Sequence, residues 1–335
     1  MQQLFLLVGL LFFYANGILA QQKHEKPISD STSVISYRNK LNISTGLQTN
    51  NFEFIVAYPA SGLKFEITPK RSIQQFVLFQ YQSINFRYSF TPGYLNPERS
   101  ALTGENKRST FDMEMVLGGM DISLTFQKAK GYYIQNTGEL LNGWKPGDPF
   151  LQLNNLTTKV IGGSVVYNIN KKFSDVGMVS GKSKQVKNAV SLLPALTVYH
   201  IYLTDPTIIP AVGTSSDDNY LDINLRAPLA ASVVWRKDWS FAGLIGPVAG
   251  VNFINTTSYD TRLMKITNKE TRLSTGYFLQ AGLSYTREKW YAGINGYLYQ
   301  YGSGDDKSRT RRRFNGLEIY FGKRFTAPAL LKKIF

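Results

Sequence analysis

Apolar and polar side chains alternate with a two-residue period along most of this chain, which predicts β-strands rather than helices. In 221–235 the odd positions read Leu221, Ile223, Leu225, Ala227, Leu229, Ala231, Val233 and Trp235, with Asp222, Asn224, Arg226 and Ser232 on the other face. In 273–285 the face Leu273, Tyr277, Leu279, Ala281, Leu283, Tyr285 opposes Ser274, Gly276, Gln280, Gly282 and Ser284. Segments 84–90, 120–126, 290–301 and 317–322 alternate in the same way. The 20 tyrosines and 21 phenylalanines suit a pleated surface.

Alternation has two physical explanations. A soluble sandwich buries its apolar face, whereas a membrane barrel turns it to lipid and its polar face to a lumen. The segments run ~10 residues or more, the length of a tilted crossing. Their polar faces are rich in Gly, Ser, Asn and Gln. Trp235, Tyr285 and Trp290 stand at segment ends, where an interfacial girdle belongs. Short turns near 81–84, 117–120, 236–239 and 286–289 alternate with long polar loops near 93–107, 137–154, 205–219, 258–271 and 303–309. The expected fold is therefore all-β: an antiparallel transmembrane β-barrel of about 12 strands, within a range of about 10 to 14. Its first crossing should begin near residue 52, with 38–48 left over as an extra strand. Segment 171–187 falls where a short turn belongs, and is expected either to leave the barrel as an excursion or to fold into its lumen.

The ends of the chain bear on localisation. Leu4 through Leu19 is apolar except for Asn16 and Gly17, ends at Ala20, and is followed by a polar stretch. That layout predicts a signal peptide over 1–20, although Met1-Gln2-Gln3 carries no basic side chain. A polar mature N-terminus over 21–37 is expected to be flexible, the barrel to occupy 38–325, and 326–335 to form a tail. No later stretch offers the ~18 apolar residues of a spanning helix. The chain has no cysteine, which excludes thiol catalysis, disulfides and cysteine metal sites. The predicted location is the cell outer membrane.

Charge changes the picture further. A formal net charge of +15 suggests contact with a polyanion. For an exported barrel, outer-membrane lipid and lipopolysaccharide phosphates are the expected counter-charge, and nucleic acid is not. The outer-membrane assembly machinery is the other expected partner. Lys107, Arg108, Lys307, Arg309, Arg311, Arg312 and Arg313 cluster beside expected outer loops and are the candidate lipopolysaccharide contacts. Arg87, Asp112, Glu114, Asp121, Arg226, Arg272, Glu318 and Arg324 lie on the polar faces of strands and are the candidate lumen charges. Buried charges persist only if paired or hydrated. These eight are expected either to line an aqueous path or to cross-link a closed lumen, the second being favoured because ~12 strands enclose a space that side chains can fill.

No catalytic constellation stands out. The two histidines are His24, in the expected tail, and His200, with Ser191 and Asp205 near it in sequence. A structural, hydrogen-bonded His200 is the expectation. Asp217, Asp218, Asp222, Asp305 and Asp306 lack the spacing of a calcium loop, and no metal or cofactor is expected. The favoured function is a non-enzymatic barrel, structural or a narrow pore. The alternatives are a lipid-modifying barrel enzyme and an exported soluble β-rich binding protein.

Three stretches carry a resemblance. Gln127-Lys128-Ala129-Lys130-Gly131-Tyr132-Tyr133-Ile134, Tyr167-Asn168-Ile169-Asn170-Lys171-Lys172-Phe173-Ser174 and Tyr320-Phe321-Gly322-Lys323-Arg324-Phe325-Thr326-Ala327-Pro328 resemble an uncharacterised family of Bacteroidetes outer-membrane barrels, known as a domain of unknown function. The resemblance implies a barrel over most of the mature chain. It implies no activity and no functional residues.

Overall fold

The computed structural model describes residues 33–334 apart from 71, 96–100, 105–106, 175–180, 206–215 and 260–264. The expected signal segment and most of the expected flexible N-terminus lie outside the described residues. The strands are β1 (Val34–Ser36), β2 (Lys40–Tyr58), β3 (Leu63–Pro69), β4 (Gln74–Tyr81), β5 (Ile84–Phe90), β6 (Lys107–Leu117), β7 (Met120–Ile134), β8 (Leu151–Tyr167) and β9 (Ser183–Gln185). They continue with β10 (Ala189–Leu192), β11 (Ala195–Asp205), β12 (Ser216–Arg226), β13 (Leu229–Trp235), β14 (Trp239–Tyr259), β15 (Lys265–Thr286), β16 (Trp290–Gly304) and β17 (Arg309–Thr326). Two short helices, α1 (Thr137–Leu140) and α2 (Ala329–Ile334), lie in a loop and in the tail.

The wall is a ring of about 12 antiparallel strands. It runs β2, β4, β5, β6, β7, β8, β11, β12, β14, β15, β16 and β17, and β17 closes on β2 from Arg309↔Ala57 to Thr326↔Lys40. The first crossing is thus Lys40–Tyr58, and the segment 38–48 belongs to it instead of forming an extra strand. Two wall strands are interrupted by proline, which has no N–H for the ladder. β10 and β11 flank Pro194, β12 and β13 flank Pro228, and the pairing register is the same on either side of both breaks.

The short turns at one end match the expectation, as in Leu117↔Met120 and Trp235↔Trp239. At the other end the expected loop 258–271 is much shorter, because β14 and β15 stay paired out to Tyr259↔Lys265. That outer mouth is also narrower than the middle of the barrel. β3 pairs with β2 on one side and with β7 on the other, so β5 and β6 drop out and the wall closes without them. Gly131, with φ +91°, sits at the register shift of β7 that makes this possible.

Every wall strand turns an apolar row outward. Leu225, Ile245, Leu273, Leu317 and Ile319 are exposed large apolar side chains on this face. Such a contiguous surface is untenable in water and natural in lipid. Near the short turns it is bordered by Trp239 against Tyr285 at 5.0 Å and Trp290 stacked on Phe321 at 5.2 Å, an interfacial girdle.

Candidate functional site

The inward rows build the interior. On β2 these are Asn42, Ser44, Gln48, Phe52 and Phe54. On β17 they are Arg324, Tyr320, Glu318, Phe314 and Arg312. Their chemistry divides the lumen into three levels.

The outer level is aromatic, where the sequence suggests a face rich in Gly, Ser, Asn and Gln. Phe52 stacks on Phe314 at 4.2 Å, and Tyr199, Tyr299 and Tyr301 stack or tilt around Phe314 at 5.3–6.3 Å. Phe278, Ile201, Leu203, Val160 and Tyr132 belong to the same buried cluster. Inside it lies one ion pair: Arg312 Nε is 3.4 Å from Asp222 Oδ2, and both side chains are fully buried. Tyr301 Oη and Asn252 Nδ2 donate to the Asp222 carboxylate at 2.7 and 2.8 Å. The Arg312 guanidinium also lies 4.4 Å over the Tyr220 ring.

The middle level holds a cavity of about 380 Å³. Arg87, Asp112, Glu114, Asp121, Arg226 and Glu318 all line it. Arg87 Nη1 donates to Glu318 Oε2 at 2.6 Å and to Gln48 Oε1 at 3.3 Å, with its guanidinium 4.5 Å over Phe76. Thr125 donates to Asp112 at 2.8 Å, and Asn85 donates to Glu114 at 2.8 Å. Across the cavity the Arg226 guanidinium lies 4.8 Å from the Phe278 ring and 5.3 Å from the Tyr299 ring.

A stopper made of segment 181–187 and β1 packs into the mouth at the short turns. Antiparallel pairing joins β1 to β9, from Val34↔Gln185 to Ser36↔Ser183. Residues 34–36 are therefore ordered as a strand, where the sequence suggests a flexible extension. Of the two placements open to 171–187, residues 181–185 take the one inside the barrel mouth, where all are buried, whereas Lys171, Lys172 and Lys187 are exposed. Gly181 lies against the Tyr291 ring, where a Cβ would come within 2.3 Å of the ring carbons, so this approach requires glycine. Lys184 Nζ meets Asp238 Oδ1 at 2.7 Å, tying the stopper to the β13–β14 turn, and Arg287 Nε reaches the same carboxylate at 3.1 Å. These two partners hold the Asp238 carboxyl below its ordinary range, the Lys184 hydrogen bond first.

Two expected lumen charges lie outside the cavity. Arg324 is buried at the stopper. Arg272, at the outer end of β15, pairs with Glu270 at 2.5 Å and Asp305 at 3.5 Å. The expected outer cations divide. Lys107, Lys307, Arg309 and Arg311 are exposed, and Arg313 on the same outward row meets Glu53 at 3.3 Å. Arg108 and Arg312 do not belong with them, because strand alternation turns both inward, where they are buried. Sequence reasoning also missed Asp238 and Lys184, which are distant in sequence and meet only through the stopper.

His200 faces outward, its ring nitrogens bonded to Asn219 Oδ1 and, at 3.0 Å, to the Tyr202 hydroxyl. Ser191 faces the other way and bonds to Asn168 Oδ1 at 2.7 Å. Nine residues of extended chain, ~30 Å, separate it from His200, so the two form no couple.

A closed antiparallel wall with an apolar exterior, an aromatic girdle and a charged interior defines a β-barrel of the outer-membrane type. Solved structures of outer-membrane proteins show a low-level likeness to the chain. The toluene transporter TodX of P. putida is 8% identical over 86% of this chain and 91% of its own, with a TM-score of 0.31. The outer membrane protease OmpT of Escherichia coli is 8% identical over 87% and 98%, with a TM-score of 0.34. Likeness at this level carries nothing about activity. No curated protein matches the sequence. Residues 29–325 match the family described as "Domain of unknown function (DUF4421)", and the chain belongs to it.

Proposed function

We propose that this protein is a non-enzymatic outer-membrane barrel whose lumen is closed at rest, a structural or ligand-holding element and not a standing pore. One observation carries the reading: the stack around Phe314 lies across the barrel above the cavity and the β1–β9 stopper lies below it. Ion pairs such as Arg87–Glu318 cross-link the wall between them. The reading against an enzyme rests on the separation of His200 from Ser191. Export with cleavage near Ala20 and residence in the outer membrane belong to the same proposal. So does lipopolysaccharide contact through the exposed outer cations.

Planar-bilayer recording tests it. The wild-type chain should carry no steady current. A variant lacking 175–187 should still be blocked by the aromatic level. That deletion combined with Phe314→Ala and Tyr299→Ala should conduct. A steady current through the wild type would overturn the closed lumen. For localisation, the mature chain should begin near Gln21, fractionate with the outer membrane and migrate differently after heating. A soluble pool without heat modification would refute that part.

A further inference from the structure

The mid-lumen cavity separates charge across itself. Its β6 wall presents Asp112 and Glu114, and Glu114 is exposed to the open space although its strand row points inward. Its β12 wall presents Arg226. Among the described residues no carboxylate lies within ion-pair distance of Arg226, which rests instead on the faces of Phe278 and Tyr299. Asp112 and Glu114 line the same cavity with Asp121, and Arg87, the cross-strand neighbour of Asp112, is already engaged by Glu318. Charges in a region screened from water attract strongly, and a wall that filled itself would bring them together. This one leaves Arg226 without a carboxylate partner among the described residues, with Leu244 and Tyr199 lining the space as well. Gln80, 1% exposed and also on the lining, has no partner for either amide atom, and Glu318 has none for Oε1. Polar atoms left this way at a cavity wall call for a guest that can hydrogen-bond.

We infer that the cavity is a binding site for a small organic zwitterion, its ammonium toward Asp112 and Glu114, its carboxylate toward Arg226, and its aliphatic middle against Leu244 and Tyr199. The inference rests on the closed-lumen reading, since an enclosed site is what makes the two charged poles effective. Zwitterions are favoured over simple cations because Arg226 would repel a second positive charge and gain nothing from an apolar end. Simple anions are disfavoured by the carboxylates opposite.

The full mature chain is refolded in detergent with millimolar glycine, γ-aminobutyrate, ε-aminocaproate, hexylamine or hexanoate, so that a closed lumen does not bar entry. Thermal loss of the compact band on unheated gels is then measured. A ligand that binds only the folded state raises its unfolding temperature. ε-Aminocaproate should raise it by several degrees, and each single-charge analogue by less than half as much. Arg226→Met should remove the advantage over hexylamine, and Glu114→Gln the advantage over hexanoate. The second variant also serves if the first does not fold, because Glu114 is exposed and a glutamine can still accept from Asn85. No shift with any probe, equal shifts with charged and half-charged probes, or undiminished selectivity in E114Q would overturn the site. A failure of the closed lumen would appear separately, as steady current through the wild type in bilayers.

Discussion

Arg324 on the last strand and Gly181 in the stopper are joined by a forked contact, in which Arg324 Nε and Nη2 both donate to the Gly181 carbonyl, at 2.9 and 2.5 Å. The same guanidinium bonds to the Arg287 and Glu288 carbonyls and lies 3.8 Å over the Tyr37 ring. One side chain therefore fastens the stopper and the β15–β16 turn to the end of the wall, and caps the residue that follows β1. A hydrogen bond from a charged donor is worth ~1.5–3 kcal/mol, and ~1.4 kcal/mol is tenfold in an equilibrium. Arg324→Met should raise the open population of the stopper on the order of tenfold or more. A lysine-specific protease acting on the folded barrel should then cut at Lys182 or Lys184 at a correspondingly higher rate, with the wall intact. Unchanged cleavage would show that the stopper is held elsewhere.

The stopper should also respond to acid through Asp238. Lys184 and Arg287 hold this carboxyl below its ordinary value of 3.8. A depressed carboxyl stabilises the folded contact above its ordinary value, and that contribution is lost as pH falls through the folded value. Amide exchange of 181–187, corrected for intrinsic rate, should be slow at about pH 6 and faster at about pH 3, a window set by the ordinary carboxylate range. In Asp238→Asn the segment should exchange at similar corrected rates at both. Acid sensitivity that survives the substitution would place the titrating group elsewhere.

Register gives a third expectation. Leu279 pairs across with Ile245 and Leu298 on the outward row, while Gln280 points inward and donates to Asn295 Oδ1 at 3.1 Å. Leu279→Arg places a cation in the apolar band and should cost ~2–4 kcal/mol near its middle. Gln280→Arg faces the cavity and its carboxylates, and should cost far less. Denaturant titration from lipid vesicles distinguishes them. Equal costs would mean that the row assignment is wrong, since a slip of one residue exchanges the two faces.

Much of the wall was legible because lipid on one side enforces the two-residue period, as in 273–285 and 290–301. The period fails where lipid ends. At the outer end of β2, Asn51 and Glu53 stand on the outward row, covered there by Asn315 and Arg313, while Phe52 and Phe54 turn inward, the inverse of the membrane pattern. For that reason the first crossing reads from the sequence as two pieces. Alternation in 290–301 puts Tyr297, Tyr299 and Tyr301 on one face. Composition could not show that Tyr299 and Tyr301, which pack on Phe314 of the next strand, join through it to Phe52 of the first wall strand, because that contact exists only once the ring closes. The stopper was illegible for the same reason: Lys184 and Asp238 carry no local signal of each other.

The run Arg311-Arg312-Arg313 shows how alternation changes a prediction. As one basic cluster it suggests reversing all three charges to test lipopolysaccharide contact. On β17 the three side chains have different surroundings. Arg311 is exposed, Arg313 is tied to Glu53, and Arg312 is buried against Asp222. A triple reversal would bury a glutamate beside Asp222 and report on folding instead. Breaking a buried pair by removing one partner typically costs ~3–5 kcal/mol, because the other charge is left uncompensated. Arg312→Met should therefore destabilise the barrel strongly, and Asp222→Asn added to it should restore part of the loss. Lys307→Glu, Arg309→Glu and Arg311→Glu together leave that pair untouched and should fold. If the exposed cations hold lipid phosphates, this variant should co-purify with less lipopolysaccharide, and wild-type retention should fall with salt, which screens exposed charges over ~8–10 Å. Unchanged retention in the folded variant across a salt series would leave the outer-rim charge without a lipid partner, whereas loss of retention in R312M alone would reflect only a damaged wall.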